Sequence, residues 1–161
     1  MPPITALLHT ENDALRLGRA LETLLPCSEI LIVDHQSSDG TQRIAHEYGA
    51  RVISASERSA PDQYAGLASN EWIFCIEPRE SINEALQASL FEWRVLPEQS
   101  LAPGATYSVS VREETSAGWL QLRWSETHLV PRNWALWRER PMPHQTSTLS
   151  LTGDLLRFAW P

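Results

Sequence analysis

The chain contains no lysine: all 13 basic residues among its 161 are arginine. That absence removes a Walker-type phosphate loop and lysine Schiff-base chemistry, since both need the amine. Glycine is scarce, at seven residues. No Gly-rich phosphate cradle and no Gly-x-Ser-x-Gly nucleophile elbow is spelled out. Cys27 and Cys75 are the only cysteines. Each adjoins an apolar strand pattern, which reads as two buried thiols in a reducing compartment. With the five histidines they show no zinc-like spacing. Apolar runs reach strand length and go no further, so no membrane span is expected, and no charged-then-apolar leader is evident. The expectation is a cytoplasmic protein.

What is present is acidic. The net charge is −7, a balance that argues against nucleic acid or an anionic membrane as partner. The charge is unevenly spread. Residues 1–100 carry 7 Arg against 15 acids, and residues 101–161 carry 6 Arg against 5. Aromatic residues are also skewed, with six of the seven Trp falling at or after Trp93. The length fits one domain, 1–161, able to bury a sizeable core without staples.

The patterning divides near residue 97. Apolar runs at 4–8, 29–34, 51–55 and 71–77 predict four strands. Between them, helical spacing predicts helices: Leu17, Leu21, Leu24 and Leu25 form one stripe closed by Pro26, and Ile44, Ala45 and Tyr48 form another ending at Gly49. A short helix is predicted over 62–68. Ser81 and Glu84 have capping-box spacing for a helix running to about Trp93, and Thr10 and Asp13 form a weaker version of the same signal. Four strand–helix alternations in residues 1–96 predict an α/β fold with a mainly parallel sheet. Beyond residue 97 the period changes to two. Residues 107–111 and 119–124 predict an antiparallel hairpin turning at Ala117-Gly118, so 97–161 reads as a small antiparallel extension. Gly153-Asp154 predicts either a turn or a helix cap.

The most informative stretch is 29–41, EILIVDHQSSDGT. A buried strand runs into Asp34, a polar loop follows, and Asp39-Gly40-Thr41 opens a helix. In open α/β sheets ligands collect where such strands end. An aspartate at that lip suits a sugar or base edge better than a phosphate.

Together with residues 5–12 (TALLHTEN), 44–52 (IAHEYGARV) and 71–80 (EWIFCIEPRE), this stretch resembles the family 2 glycosyltransferases, specifically the lipopolysaccharide core-type sugar transferases. The likeness covers roughly residues 4–92. It implies a GT-A fold, a nucleotide-diphospho-sugar transferase architecture. It also implies transfer of a sugar from a nucleotide-sugar donor, UDP-type, to an acceptor, usually with a divalent metal (Mg²⁺ or Mn²⁺). By the same resemblance residues 1–96 are the nucleotide-binding part and 97–161 the acceptor side. His9, Thr10, Asn12, Asp34, His35 and Asp39 are the implied nucleotide-binding residues.

The departures are as informative. Family members commonly end strand four in Asp-x-Asp, whose carboxylates meet the metal. Here the text is Glu77-Pro78-Arg79-Glu80. A guanidinium repels a divalent cation and contacts phosphate directly, so Arg79 joins the nucleotide-binding candidates, while Glu77 and Glu80 are the metal candidates. His35 and Gln63-Tyr64 also depart from the pattern. No Glu-Asp or Asp-Asp base motif follows, which leaves Glu113, Glu114 and Glu126 as candidates to deprotonate an acceptor hydroxyl, with Glu139 and Asp154 the other acids of that half.

Alternatives stay open at several positions. Asp34 and Asp39 suit loop or helix caps as well as ligand contacts. His9 and His35 suit surface positions as well as a pocket. Trp119, Trp124, Trp134 and Trp137 suit sugar stacking or covering of a thin β-extension. Arg132, Arg138 and Arg140 suit a diphosphate site or a solvated face. The alternative function is a catalytically degenerate family member, a pseudoenzyme that binds a nucleotide, a glycan or a protein.

Overall fold

The computed structural model describes residues 2–56, 61–134, 137 and 149–161. Arg138, Glu139 and Arg140 lie outside the described residues. The elements run β1 (Ile4–Thr10), α1 (Ala14–Glu22), β2 (Glu29–Asp34), α2 (Thr41–Glu47), β3 (Arg51–Ser54), α3 (Pro61–Gly66), β4 (Trp72–Cys75), β5 (Glu80–Ile82), α4 (Glu84–Arg94), β6 (Tyr107–Thr115), β7 (Gly118–Pro131) and β8 (Leu149–Arg157).

These strands form one eight-stranded sheet in the order β3-β2-β1-β4-β7-β6-β8-β5. The first four are mutually parallel. Their two faces feed two cores through the period-two alternation of strand side chains. Ile4, Ala6, Leu8 and Ile32 pack with Leu17 and Leu21 of α1, Ala45 of α2 and Leu86, Leu90 and Trp93 of α4. The interleaved Leu7, Leu31 and Val33 pack on the other face with Tyr64 and Ala65 of α3, Ala68 and Val130. Burial on both faces is why these strands read as continuous apolar runs.

The second half is mixed. β7 runs antiparallel to β4 and β6, β8 lies parallel to β6, and β5 pairs antiparallel with β8. Only residues 76–79 separate β4 from β5, yet the two sit four places apart in the sheet. Four strand spacings amount to about 19 Å in a flat sheet. The five peptide links from Cys75 to Glu80 span at most about 17 Å. The sheet therefore curls. β5 comes to rest against the end of α1, where the Ser81 hydroxyl donates to Arg19 O at 3.3 Å and Ile82 N to Thr23 Oγ1 at 3.2 Å.

Several local expectations are corrected. Ser81 lies in β5, and α4 is capped by Asn83, whose Oδ1 accepts from Leu86 N at 2.9 Å and from Asp154 N at 3.0 Å. Strand pairing with β8 claims the three residues before the cap. Gly153 and Asp154 lie inside β8 and form neither a turn nor a helix cap. Between Ser108–Ser110 of β6 and Ser150–Asp154 of β8 the register shifts by two residues. Gly153, at φ 103°, sits there against the first turn of α4: an added Cβ would fall 2.2 Å from Leu86 N. Thr10 belongs to β1 and does not cap α1. Leu25, expected on the buried stripe, is 69% exposed, because α1 ends at Glu22.

Candidate functional site

The carboxyl ends of β1 and β2 stop side by side, with Thr10 opposite Asp34, and Ser54 of β3 on Asp34's other flank. β4 ends along the same edge, Cys75 pairing Leu7. The loops leaving β1 and β2 are stitched together. Asn12, at φ 53°, donates its N–H to Ser37 Oγ at 2.9 Å, and its Oδ1 accepts from Ser38 N at 2.8 Å. Asp39 accepts from Thr41 N at 2.9 Å and from Ala14 N at 3.1 Å, and from the Thr41 hydroxyl, which in turn accepts from Asp13 N at 2.8 Å. One carboxylate thus serves the first turns of α1 and α2, and these bonds hold its pKa below the usual carboxylate value. Asp39 acts here as a cap.

Asp34 is 1% exposed. Its carboxylate accepts four hydrogen bonds: from the Thr10 hydroxyl at 2.7 Å, Ser37 N at 3.0 Å, the Ser37 hydroxyl at 2.6 Å and Gln42 Nε2 at 2.8 Å. Burial alone raises a carboxylate, but the bonds from Ser37, Gln42 and Thr10 prevail and depress its pKa. Asp34 therefore does not line an open cleft in this state; it is the buried hub on which both loops are hung. Gln42 and Ser37 were invisible as site residues in the sequence, although Ser37 lies within the 29–41 motif and Gln42 immediately follows it.

At the same strand ends His9 and His35 meet, with Nδ1 of the first 2.9 Å from Nε2 of the second. Tyr64 lies edge-on to His9, its ring centroid 5.5 Å away, and its hydroxyl bonds both Ser56 N and Ser56 O. The two exposed imidazoles and Tyr64 thus form an aromatic group at the ends of β1 and β2, on the α3 face of the sheet, opposite the face on which Thr10 meets Asp34. Tyr64, from the Gln63-Tyr64 departure, is the contribution of α3 to that group.

The edge at β4 is built differently. Arg79 pairs with Glu77 at 2.7 Å, both half-exposed. Glu80 is 1% exposed. One of its oxygens caps Glu77 N at 2.8 Å, and the other binds Arg157 Nε at 2.8 Å and Nη2 at 2.7 Å. Arg157 Nη1 reaches Glu113 at 2.9 Å and Glu126 at 3.2 Å, and Nη2 reaches Glu126 at 2.6 Å. Three carboxylates from β5, β6 and β7 converge on one guanidinium from β8, which faces Glu80 and Glu113 as direct cross-strand partners. These contacts raise the Arg157 pKa above its ordinary value, outweighing the effect of burial.

His128 completes the cluster. Its Nδ1 faces Cys75 O, at the end of β4, and its Nε2 lies 3.1 Å from Glu126. A carbonyl and a carboxylate only accept, so both ring nitrogens must donate and His128 is an imidazolium. Desolvation lowers its pKa, but the bond to Glu126 and the charge of Glu80 reverse that and raise it. Glu126 is held down at about 2, because hydrogen bonds from His128 and Arg157 overcome its burial.

These contacts bear on two roles. Glu126 is not poised as a base, since a carboxylate pinned at about 2 has negligible proton affinity at neutral pH. Glu80, one of the two metal candidates, spends one oxygen on Arg157 and caps Glu77 N with the other. Glu77, paired with Arg79, does not assemble a divalent site with it. Among the described residues no group of three or more His, Cys, Asp or Glu is arranged to hold a metal ion. Glu113 and Glu114 lie half-buried on β6, Glu113 on Arg157. Sequence reasoning missed Arg157 and His128. The available signal was Glu126-x-His128 in a period-two strand, two charged side chains pointing the same way just before the apolar Leu129-Val130 pair.

The aromatic half divides likewise. Trp72, Trp93 and Tyr107 pack edge-to-face beneath the sheet, and Trp134 packs on Trp137. Trp119 and Trp124 are exposed on the hairpin. Arg132 bonds Ala68 O at 2.9 Å and pairs with Glu71, away from the carboxyl edge. Burial raises both cysteine thiols to about 12, so neither is a nucleophile at neutral pH. Among the described residues no helix is long and apolar enough to cross a membrane.

No family model matches the chain. Among curated proteins it is similar to an uncharacterized glycosyltransferase of Rickettsia felis, 33% identical over 91 residues, 54% of this chain and 32% of that protein. It is also similar to the lipopolysaccharide core biosynthesis glycosyltransferase LpsC of Rhizobium meliloti, 29% identical over 102 residues, 56% of this chain and 36% of that one. The chain spans about a third of the length of these relatives. Among solved structures, S. aureus TarS (residues 1–349, in complex with UDP-GlcNAc) superposes with a TM-score of 0.56 over 72% of this chain and 36% of TarS, at 15% identity. A mycobacterial protein gives 0.52 over 71% and 42%, also at 15%. The fold is of the GT-A type, and the resemblance read from the sequence is to proteins named as glycosyltransferases.

Proposed function

We propose that this chain is a GT-A-like nucleotide-sugar-binding domain of glycosyltransferase type, serving transfer of a sugar from a UDP-type donor to an acceptor. One observation carries the reading. The loops after β1 and β2 are locked to each other and to Asp34, which fixes the strand ends carrying His9 and His35 where α/β sheets bind ligands, with Tyr64 packed edge-on to His9. The relatives named as glycosyltransferases support it, and so does TarS, which was solved with UDP-GlcNAc. In this reading the aromatic group receives the nucleotide base. Arg79, half-exposed and held only by the local Glu77, swings to the diphosphate. Asp34 acts through the strand ends as a positioning residue.

A second reading is a binding module without turnover. It is favoured by the commitment of Glu80, Glu113 and Glu126 to Arg157, which leaves Glu114 as the one of the three base candidates outside that cluster. Calorimetric titration with UDP and UDP-sugars, with and without Mn²⁺, tests the proposal: saturable binding is expected. No binding to any nucleotide overturns it. Hydrolysis or transfer assays on the bound sugars then divide enzyme from binding module.

A further inference from the structure

We propose that Arg157 takes the place of a divalent cation in this chain, acting as the built-in counter-ion of Glu80, Glu113 and Glu126 at the carboxyl end of β4. The guanidinium makes five nitrogen–oxygen contacts of 3.2 Å or less, to carboxylates brought by three strands. A guanidinium has five N–H donors, and four of them bond carboxylates inside the protein while Nη2 also stands 2.7 Å from Glu80. Glu80 ties the cluster to the backbone of Glu77, and His128 ties it to the last carbonyl of β4. The cluster thus sits at the same edge as the Glu77–Arg79 pair.

Arg157 and the imidazolium of His128 together bring two positive charges, the charge of one divalent ion. Hard divalent cations take several oxygen ligands at 2.0–2.6 Å. Three carboxylates converge here on one point, but they are spaced around a guanidinium and not as a metal ligand set. The arrangement leaves the exposed Arg79 as the cation that a diphosphate meets. The consequence for nucleotides rests on the reading above: UDP binding has no divalent requirement. The placement of Arg157 stands on geometry alone.

Three measurements test this. First, the native chain is titrated with Mn²⁺ and the free ion followed by its electron paramagnetic resonance signal. No stoichiometric uptake is expected; uptake of one ion per chain that Glu126→Gln removes overturns the proposal. Second, Arg157→Ala is melted with and without millimolar Mn²⁺. A lower melting temperature that Mn²⁺ raises is expected, with the gain absent in Arg157→Ala/Glu126→Gln. If the single variant folds only with Mn²⁺, the proposal is equally supported. Melting indifferent to Mn²⁺, or failure to fold with the ion present, overturns it. Third, UDP affinity is compared in EDTA and in Mn²⁺. Agreement within about twofold is expected, and a tenfold or larger loss in EDTA overturns metal independence. If UDP binds under neither condition, the functional reading fails while the first two measurements still decide the role of Arg157.

Discussion

Asp34 is a buried carboxylate that ties two loops together at the strand ends. Its carboxylate satisfies Thr10, Ser37 and Gln42 at once. Replacing it with Ala strands the buried Thr10 hydroxyl, at a cost of about 1–3 kcal/mol where water cannot enter, and loosens the half-buried Ser37 and exposed Gln42, which can turn to water. We expect Asp34→Ala to lose on the order of 3 kcal/mol in denaturant melts and to weaken UDP binding at least tenfold. Asp34→Asn keeps two acceptor lone pairs and loses roughly half as much. Unchanged nucleotide affinity in a folded Asp34→Ala would detach the aromatic group from the hub. The sequence marked Asp34 clearly, because an acid at the end of a buried run is conspicuous. It did not mark what the acid faces, since Ser37 and Gln42 are ordinary loop and helix residues whose partner is set by the loop's fold, with Gln36 at φ 57°.

At the scale of elements, α4 and β8 are joined through Asn83 and Gly153. Asn83 caps the helix and receives Asp154 N with the same oxygen, so Asn83→Ala should cost about 1–2 kcal/mol. Gly153→Ala should cost more, upwards of about 3 kcal/mol, because its φ of 103° disfavours a side chain and the new methyl would collide with the backbone of Leu86. Gly66→Ala in α3, with open space around it, is the control and should be neutral or slightly stabilising. Thermal melts of the three check the order. The parallel strands β1, β2 and β4 were legible because burial on both faces leaves an apolar signature, and the edge strand β3 through its Val52-Ile53 pair. β5 and β8 were not. Glu-Ser-Ile is too short for a periodic signal and mimics a helix start, and the glycine inside β8 looks like a turn until the helix pressed against it is known.

For the whole molecule, the charged cluster sets the pH response. The Glu126 pKa falls from 4.5 to about 2 on folding. Its contribution is present above pH 4.5 and is lost as pH drops toward 2. The His128 pKa is raised above 6.5, so its contribution is complete below pH 6.5 and is lost as pH climbs through the raised value. Melting temperature should therefore be highest between about pH 4.5 and 6.5 and decline on both sides. His128→Gln should lower the plateau and flatten the alkaline decline. An alkaline limb of equal slope in that variant would mean that His128 is not the titrating group. None of this cluster could be assembled from the sequence, since Arg157 stands 77, 44 and 31 residues from its three partners.

The two-residue offset at Gly153 preserves the facing of β8 side chains and sets how far along the strand Arg157 falls, opposite Glu80 on one side and Glu113 on the other. Were β8 to slide by a single position, Arg157 would turn outward and the buried Glu80 would lose its ion pair. Misaligned closure of the sheet is thus penalised by several kcal/mol, and charge proofreads the alignment where the apolar pattern of this strand is too weak to do so.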